Sequence, residues 1–251
     1  MNILKFSSNS KVMIISPHPD DTCFAIGGII LKHTDQMDFI NYDVFSNKIY
    51  NINKTSSENI KRYILEEEDK AMMELGLHNL YLDYEEAYLR LKCKLSDIMG
   101  KKIEKDEILN NPIFYSLSIS IKAIIFEHNP DCLIIPMGCG WHVDHLLVKY
   151  CILELISKEN IEVRLFFYED MPYSCNKIWY KDALDELKRD FVLEEYIINI
   201  DDYLEKKLNI MNIYETQLKK RDIRLIKEYI QNILPGCACE RIWEAFKKGY
   251  N

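Results

Sequence analysis

No stretch of this 251-residue sequence approaches the roughly 18 consecutive apolar residues that a membrane-spanning helix requires. The opening segment, MNILKFSSNSKVMIIS, also lacks a continuous apolar core followed by a small-residue cleavage site. Neither a membrane span nor export is indicated, and a cytoplasmic protein is expected. Basic charge is in short supply, with 32 Lys and Arg against 40 Asp and Glu and a net charge of −8. A nucleic-acid backbone demands a clustered basic face. The most basic run, Lys219, Lys220, Arg221 and Arg224, is diluted by acids and reads as a solvated helix face, so nucleic acid is not expected as a partner. The eight cysteines, at 23, 93, 132, 139, 151, 175, 237 and 239, form no CxxC pair and read as reduced thiols. Cys237-Ala238-Cys239 has no second pair or nearby histidine to complete a metal site. Internal repeats and low-complexity tracts are missing as well.

What is present suits one folded domain over residues 1–251: 48 % of residues are apolar and 29 % charged, enough to bury a core. Self-association is left open. The apolar run Val12 to Ile15 ends at Ser16-Pro17 and precedes a helical stretch, Phe24 to Leu31. A second strand is expected at Phe39 to Phe45, and a helix from Glu58 to Leu75 stopped by Gly76. Helical spacing recurs over 83–99 and 112–127, joined by a Lys/Glu-rich connection at 100–111 that reads as a surface insertion. DCLIIP at 131–136 is a buried strand, 137–141 a glycine-containing loop and 142–157 a helix; strands follow at 163–168 and 197–200. A charged helical region at 202–233 ends the pattern. Strands alternating with helices predict an α/β fold, a Rossmann-like open and mostly parallel sheet flanked by helices, with ligands beyond the carboxyl ends of the strands.

Three loops occupy such positions: 17–21, 137–145 and 169–173. In Pro17-His18-Pro19-Asp20-Asp21 the prolines fix the backbone, and His18 and Asp21 can reach one ion while Asp20 stays free beside it. In Trp141-His142-Val143-Asp144-His145 the two imidazoles lie i, i+3 at a helix start and share a face. These segments hold three of the chain's six histidines. Two imidazoles and one carboxylate leave a coordination position for water, as catalytic zinc sites do. Nitrogen and oxygen donors also suit Fe(II). Asp144 is either a carboxylate behind His142 or an acid matched to the helix N-terminus.

PHPDD at 17–21 and HVDH at 142–145, in this order after Rossmann-like strands, resemble the zinc-dependent N-deacetylases of the PIG-L (LmbE-like) family. Further similarity lies in Gly27-Gly28, the helix end Ala71 to Gly76, the loop Gly138-Cys139-Gly140, the segment Tyr168 to Tyr173, and Glu240-Arg241-Ile242-Trp243. The resemblance implies that His18, Asp21 and His145 hold Zn2+, that Asp20 is the general base, and that His142 serves the transition state with Asp144 behind it. It implies a small-molecule N-acyl substrate, an amino sugar or related amine, from which an acetyl or similar acyl group is removed. Substrate contacts fall to Arg62, Asp170 and Tyr173. Thr22 stands where the family usually has Glu, and the spacing of Arg62 to Glu66 and Glu67 departs from the family's pattern. An amidase acting on a larger conjugate, and an inactive metal-binding regulatory protein, are the alternatives.

Overall fold

The computed structural model describes residues 9–50 and 59–248. In chain order the elements are β1 (Lys11–Ser16), α1 (Asp21–His33), β2 (Asp38–Asp43), α2 (Ile60–Leu75), β3 (His78–Tyr81), α3 (Ala87–Leu91), α4 (Leu95–Ile98), α5 (Lys105–Leu109), α6 (Phe114–His128), β4 (Cys132–Pro136), α7 (Val143–Glu159), β5 (Arg164–Tyr168), α8 (Lys177–Asp190), β6 (Phe191–Asn199), α9 (Leu204–Met211), α10 (Lys220–Gln231) and β7 (Cys239–Lys247). The strands form one seven-stranded sheet in the order β3-β2-β1-β4-β5-β7-β6. Every pairing from β3 to β5 is parallel, and β7 runs antiparallel to both β5 and β6. The expected α/β fold with a mostly parallel sheet is therefore present, and one reversed strand, β7, makes the sheet mixed.

Alternation along the central strands divides the core into two layers. Val12, Ile14, Cys132, Ile134, Phe166 and Tyr168 face a layer shared with α1, α2, α9 and α10. Met13, Ile15, Leu133, Ile135, Leu165 and Phe167 face the layer beneath α6, α7 and α8. Burial on both faces explains why these strands read as continuous apolar runs. Chain order reverses between β1 and β4, so the crevice beyond their carboxyl ends is the switch point where open α/β sheets bind ligands.

Several segments differ from the sequence reading. Residues 83–99 are not one helix: 82–86 are non-helical, with Leu82 and Tyr84 N–H groups donating to Asp43 and Val44 carbonyls and Asp83 at φ 56° between them, and left-handed Lys92 (φ 50°) separates α3 from α4. β3 is a four-residue edge strand carrying His78 and Asn79, too short and polar to stand out. β6 extends nine residues rather than four, after a helix, α8, that the sequence reading passes over. β7 escapes detection because Glu240 and Glu244 occupy buried positions, each neutralised by a distant cation, Lys207 and Arg164. The 100–111 segment contains α5, whose Ile108 is buried in the second layer. The charged region 202–233 comprises α9 and α10 with a break between them.

Candidate active site

The first site loop leaves β1 under tight backbone control. The Ser16 hydroxyl donates to the His18 carbonyl (2.9 Å), and Phe45 N–H to the Pro17 carbonyl (2.8 Å). Asp20 then adopts φ 109°, outside the regions that L-residues favour, before α1 begins at Asp21. Such a conformation costs on the order of 1–3 kcal/mol and persists only where its surroundings enforce it. The second loop follows β4 through left-handed Gly138 (φ 89°) to His142, the N-cap of α7. A Cβ on Gly138 would lie 2.9 Å from a Leu146 methyl. The third loop, after β5, carries Asp170 and Tyr173.

Asp21 is the point of convergence. Its Oδ2 accepts the His18 N–H (3.0 Å) and lies 3.2 Å from His18 Nδ1 and 3.3 Å from His145 Nε2. A separate carboxylate fixes the far side of each ring. His18 Nε2 donates to Asp144 Oδ2 at 3.1 Å, and His145 Nδ1 donates to Asp170 Oδ1 at 2.6 Å. Such contacts set the tautomer and turn the opposite nitrogen's lone pair inward. His145 Nε2 is buried with no hydrogen-bond partner. Burial opposes a charge on His18, but Asp144 and Asp21 outweigh it and push its pKa up to about 9. Burial also opposes ionisation of Asp21, yet His145 and His18 bring it down to about 2. The surroundings thus draw positive charge to the spot where an orphaned imidazole nitrogen, an imidazole Nδ1 and a carboxylate oxygen meet, and His18, Asp21 and His145 fit a divalent ion. A second trio, His18, His142 and Asp144, is also close enough. Asp144 is already committed there, accepting from Ala87 N–H (2.7 Å) and Arg90 Nη2 (2.8 Å) besides His18.

Asp144 therefore does not back His142. At the N-cap, His142 Nδ1 accepts the Asp144 backbone N–H (3.2 Å), while the Asp144 carboxylate turns toward His18. This leaves His142 an Nε2–H donor. Burial, then the neighbouring His18 charge, hold the His142 pKa well below 6.5, so it is neutral. Asp20 is 9 % exposed and pairs with Lys48 Nζ at 3.4 Å. Burial raises the Asp20 pKa to about 6 against the pull of Lys48.

These groups line a cavity of about 240 Å³ whose wall includes His18, Asp20, Asp21, His142 and Tyr173. Asp170 is not in that wall: it is fully buried, and its Oδ2 accepts the Gly138 and Cys139 N–H groups at 2.8 and 2.9 Å. Arg62 also lies elsewhere, on α2, ion-paired with Glu66 and 63 % exposed along its side chain. Neither is placed to touch a substrate in the cavity. Lys48 and Glu86, which do line it, have no sequence motif. The available signal was positional, since residues just past β2 lie at the ligand-binding end of the sheet.

Thr22, buried one residue past Asp21, donates to Asn41 Oδ1 (2.8 Å), and Asn41 and Asn79 donate to Asp43. Glu68 lies close to Asp43, its Oε2 accepting from Tyr214 (2.8 Å) and its Oε1 without a hydrogen-bond partner. Both carboxyls are fully buried, and Asp43 disfavours a charge on Glu68. Burial raises both pKa values, Asp43 to about 7 and Glu68 well above the usual range.

Comparison with known proteins places this geometry. The family model for PIG-L, GlcNAc-PI de-N-acetylase, matches residues 13–156, which span the sequence from β1 through both histidine motifs. A 2'-N-acetylparomamine deacetylase of Streptomyces fradiae is 22 % identical over 223 residues, covering 85 % of this chain and 76 % of that protein. The structure of a deacetylase from the teicoplanin biosynthesis pathway superimposes with a TM-score of 0.77 at 18 % identity, over 96 % of this chain and all of that one. A zinc-inhibited form of the teicoplanin deacetylase gives 0.76 at the same identity and the same coverage. At these identities the structural likeness shows a shared fold.

Proposed function

The chain belongs to the PIG-L, GlcNAc-PI de-N-acetylase family, and from that premise we propose that it is a metal-dependent N-deacetylase acting on an N-acetylated amino sugar or a closely related small-molecule amine. The observation carrying this reading is the convergence of His18, Asp21 and the orphaned His145 Nε2 beside Asp20 in one cavity. A divalent ion held by the three would polarise an amide carbonyl and lower the pKa of bound water to about 7.

The chain's own groups divide the remaining work. Asp20, held by Lys48, accepts the proton of the attacking water. His142 offers its Nε2–H to the oxygen on which charge develops, and its neutral state makes it a hydrogen-bond donor there rather than a charge partner. The proton taken up by Asp20 is then available to the departing amine. Asp144 and Asp170 keep His18 and His145 in the required tautomers. Tyr173, whose ring lies 5.7 Å from that of His145, closes one side of the cavity.

Acetate release from a panel of N-acetyl amino sugars tests the proposal, with the purified protein titrated with zinc and, in parallel, Fe(II). One or more sugars should yield acetate and free amine stoichiometrically, with activity rising to one metal equivalent. Excess zinc is included because a deacetylase of this fold has a zinc-inhibited form. Absence of acetate from every sugar at one equivalent of either metal would contradict the reading.

A further inference from the structure

The carboxylate of Glu86 takes no part in the chemistry above, yet it lines the same cavity. It is held by backbone pairing between two extended segments: Asn47 N–H donates to the Tyr84 carbonyl and Glu86 N–H to the Asn47 carbonyl, both at 3.1 Å. Glu86 is only 4 % exposed. Its Oε1 accepts the N–H groups of Ile49 (2.7 Å) and Tyr50 (2.6 Å). Among the described residues nothing donates to Oε2, and no cation lies within ion-pairing distance of it. Lys48, the lysine in the cavity wall, donates to Asp20 and acts on Glu86 only across space, without a hydrogen bond.

With Oε1 held by two backbone N–H groups, Oε2 is left open to the cavity, where a donor or a cation on a ligand can reach it. The wall's charges show which is missing. Asp20 is matched by Lys48, and Asp21 belongs to the metal trio. Glu86 remains, with Asp222 at 23 % side-chain exposure adding a second negative charge, its oxygens accepting from the Lys219 backbone N–H (3.2 Å) and the exposed Arg221 (3.3 Å). Tyr50 and Tyr88, with rings 5.4 Å apart, stand in the same wall and offer aromatic faces to a cation.

We infer that Glu86 is a specificity-determining residue selecting N-acyl substrates that carry a second, free amine, whose ammonium group donates to Glu86 Oε2. The inference rests on the deacetylase reading for the N-acyl group and on Glu86 alone for the amine. An ammonium supplies the missing donor and the missing charge together, and charge-assisted bonds are about twice as strong as neutral ones. A hydroxyl supplies only the donor. A carboxylate or phosphate in that position meets excess negative charge. The substrate class is therefore a di- or polyamino sugar or aminocyclitol acetylated on one nitrogen.

Two disaccharides differing at one position test this: N-acetylglucosamine joined to glucosamine, and N-acetylglucosamine joined to glucose. Binding to the metal-loaded protein is measured by titration calorimetry and turnover by acetate release. The amine-bearing sugar should bind at least tenfold more tightly, an advantage that shrinks as salt is raised. Glu86→Gln keeps an oxygen for the two backbone donors and removes the charge, and should bring the ratio of affinities to within about twofold. Asp222→Asn, at the exposed end of the cavity, gives a smaller reduction and a control for folding. Equal affinity of wild type for the two sugars, or an unchanged ratio in Glu86→Gln, overturns the inference even if both release acetate. A tenfold affinity difference without acetate from either sugar supports amine selection and contradicts the deacetylase reading instead.

Discussion

Asp144 and Asp170 each commit a carboxylate oxygen to one imidazole, and the directions of those two rings make the metal trio. Removing such a partner characteristically lowers metal affinity 10–100-fold. Asp144→Asn should show a loss of that order in competition with a chelator, and unchanged affinity would contradict the assignment of Asp144 to His18. Arg62→Ala should change stability by less than about 0.5 kcal/mol in urea unfolding, because an exposed i,i+4 pair contributes little. The same variant should leave acetate release unaltered. At this scale the sequence was informative wherever chemistry is local: PHPDD and HVDH bring His18, Asp20, Asp21, His142 and His145 into view. It was uninformative where partners are remote. Asp144 meets His18 across 126 positions and His145 meets Asp170 across 25, separations that no spacing rule connects. The adjacency of Asp144 to His142 pointed to the wrong imidazole, because an N-cap side chain turns back to its own helix.

At the scale of elements, α1 is the piece that aims the first motif, and it is broken. Ile26 is non-helical (φ −130°), and the freed N–H groups of Gly28 and Ile29 donate to Glu240 on β7 at 3.0 and 2.7 Å. Lys207 of α9, fully buried, donates both to Glu240 and to the Phe24 carbonyl. A Cβ on Gly28 would come within 2.6 Å of an Ile200 methyl, which accounts for the second glycine of the pair that the sequence shows. Glu240→Ala removes one partner of a buried pair and should cost about 3–5 kcal/mol. Adding Lys207→Met should recover part of that loss in urea titrations, and no recovery would show that the pair's charge is not what matters. Periodicity found β1, β4 and β5 because both faces of those strands are apolar, and β2 through Phe39, Ile40 and Tyr42 although Asn41 and Asp43 are buried beside them. It failed on β7, where buried glutamates sit at core positions, and over 83–99, where pairing with the end of β2 overrides helical spacing.

For the whole molecule, the buried carboxyl pair of Asp43 and Glu68 links stability to pH. Their folded pKa values are raised, so the folded chain binds more protons than the unfolded one once pH exceeds the ordinary carboxylate range near 4. This contribution to stability is complete below pH 4 and is lost as pH rises toward 7 and beyond. Glu68→Gln supplies a permanent donor to Asp43 and keeps an acceptor for Tyr214, which donates to Glu68 in the wild type (2.8 Å). The variant should gain on the wild type by at least about 1.4 kcal/mol between pH 5 and pH 8, the equivalent of one pKa unit. A stability difference independent of pH would contradict raised carboxyl pKa values at this pair.

The central claim separates residues that hold a metal from the residue that moves a proton. Zinc content and acetate release measured together on wild type, Asp20→Asn and His145→Ala test it most directly. The account predicts about one zinc per chain in wild type and Asp20→Asn, turnover reduced about 10²–10⁴-fold in Asp20→Asn, and loss of zinc in His145→Ala. Undiminished turnover in Asp20→Asn, or full zinc content in His145→Ala, would contradict it.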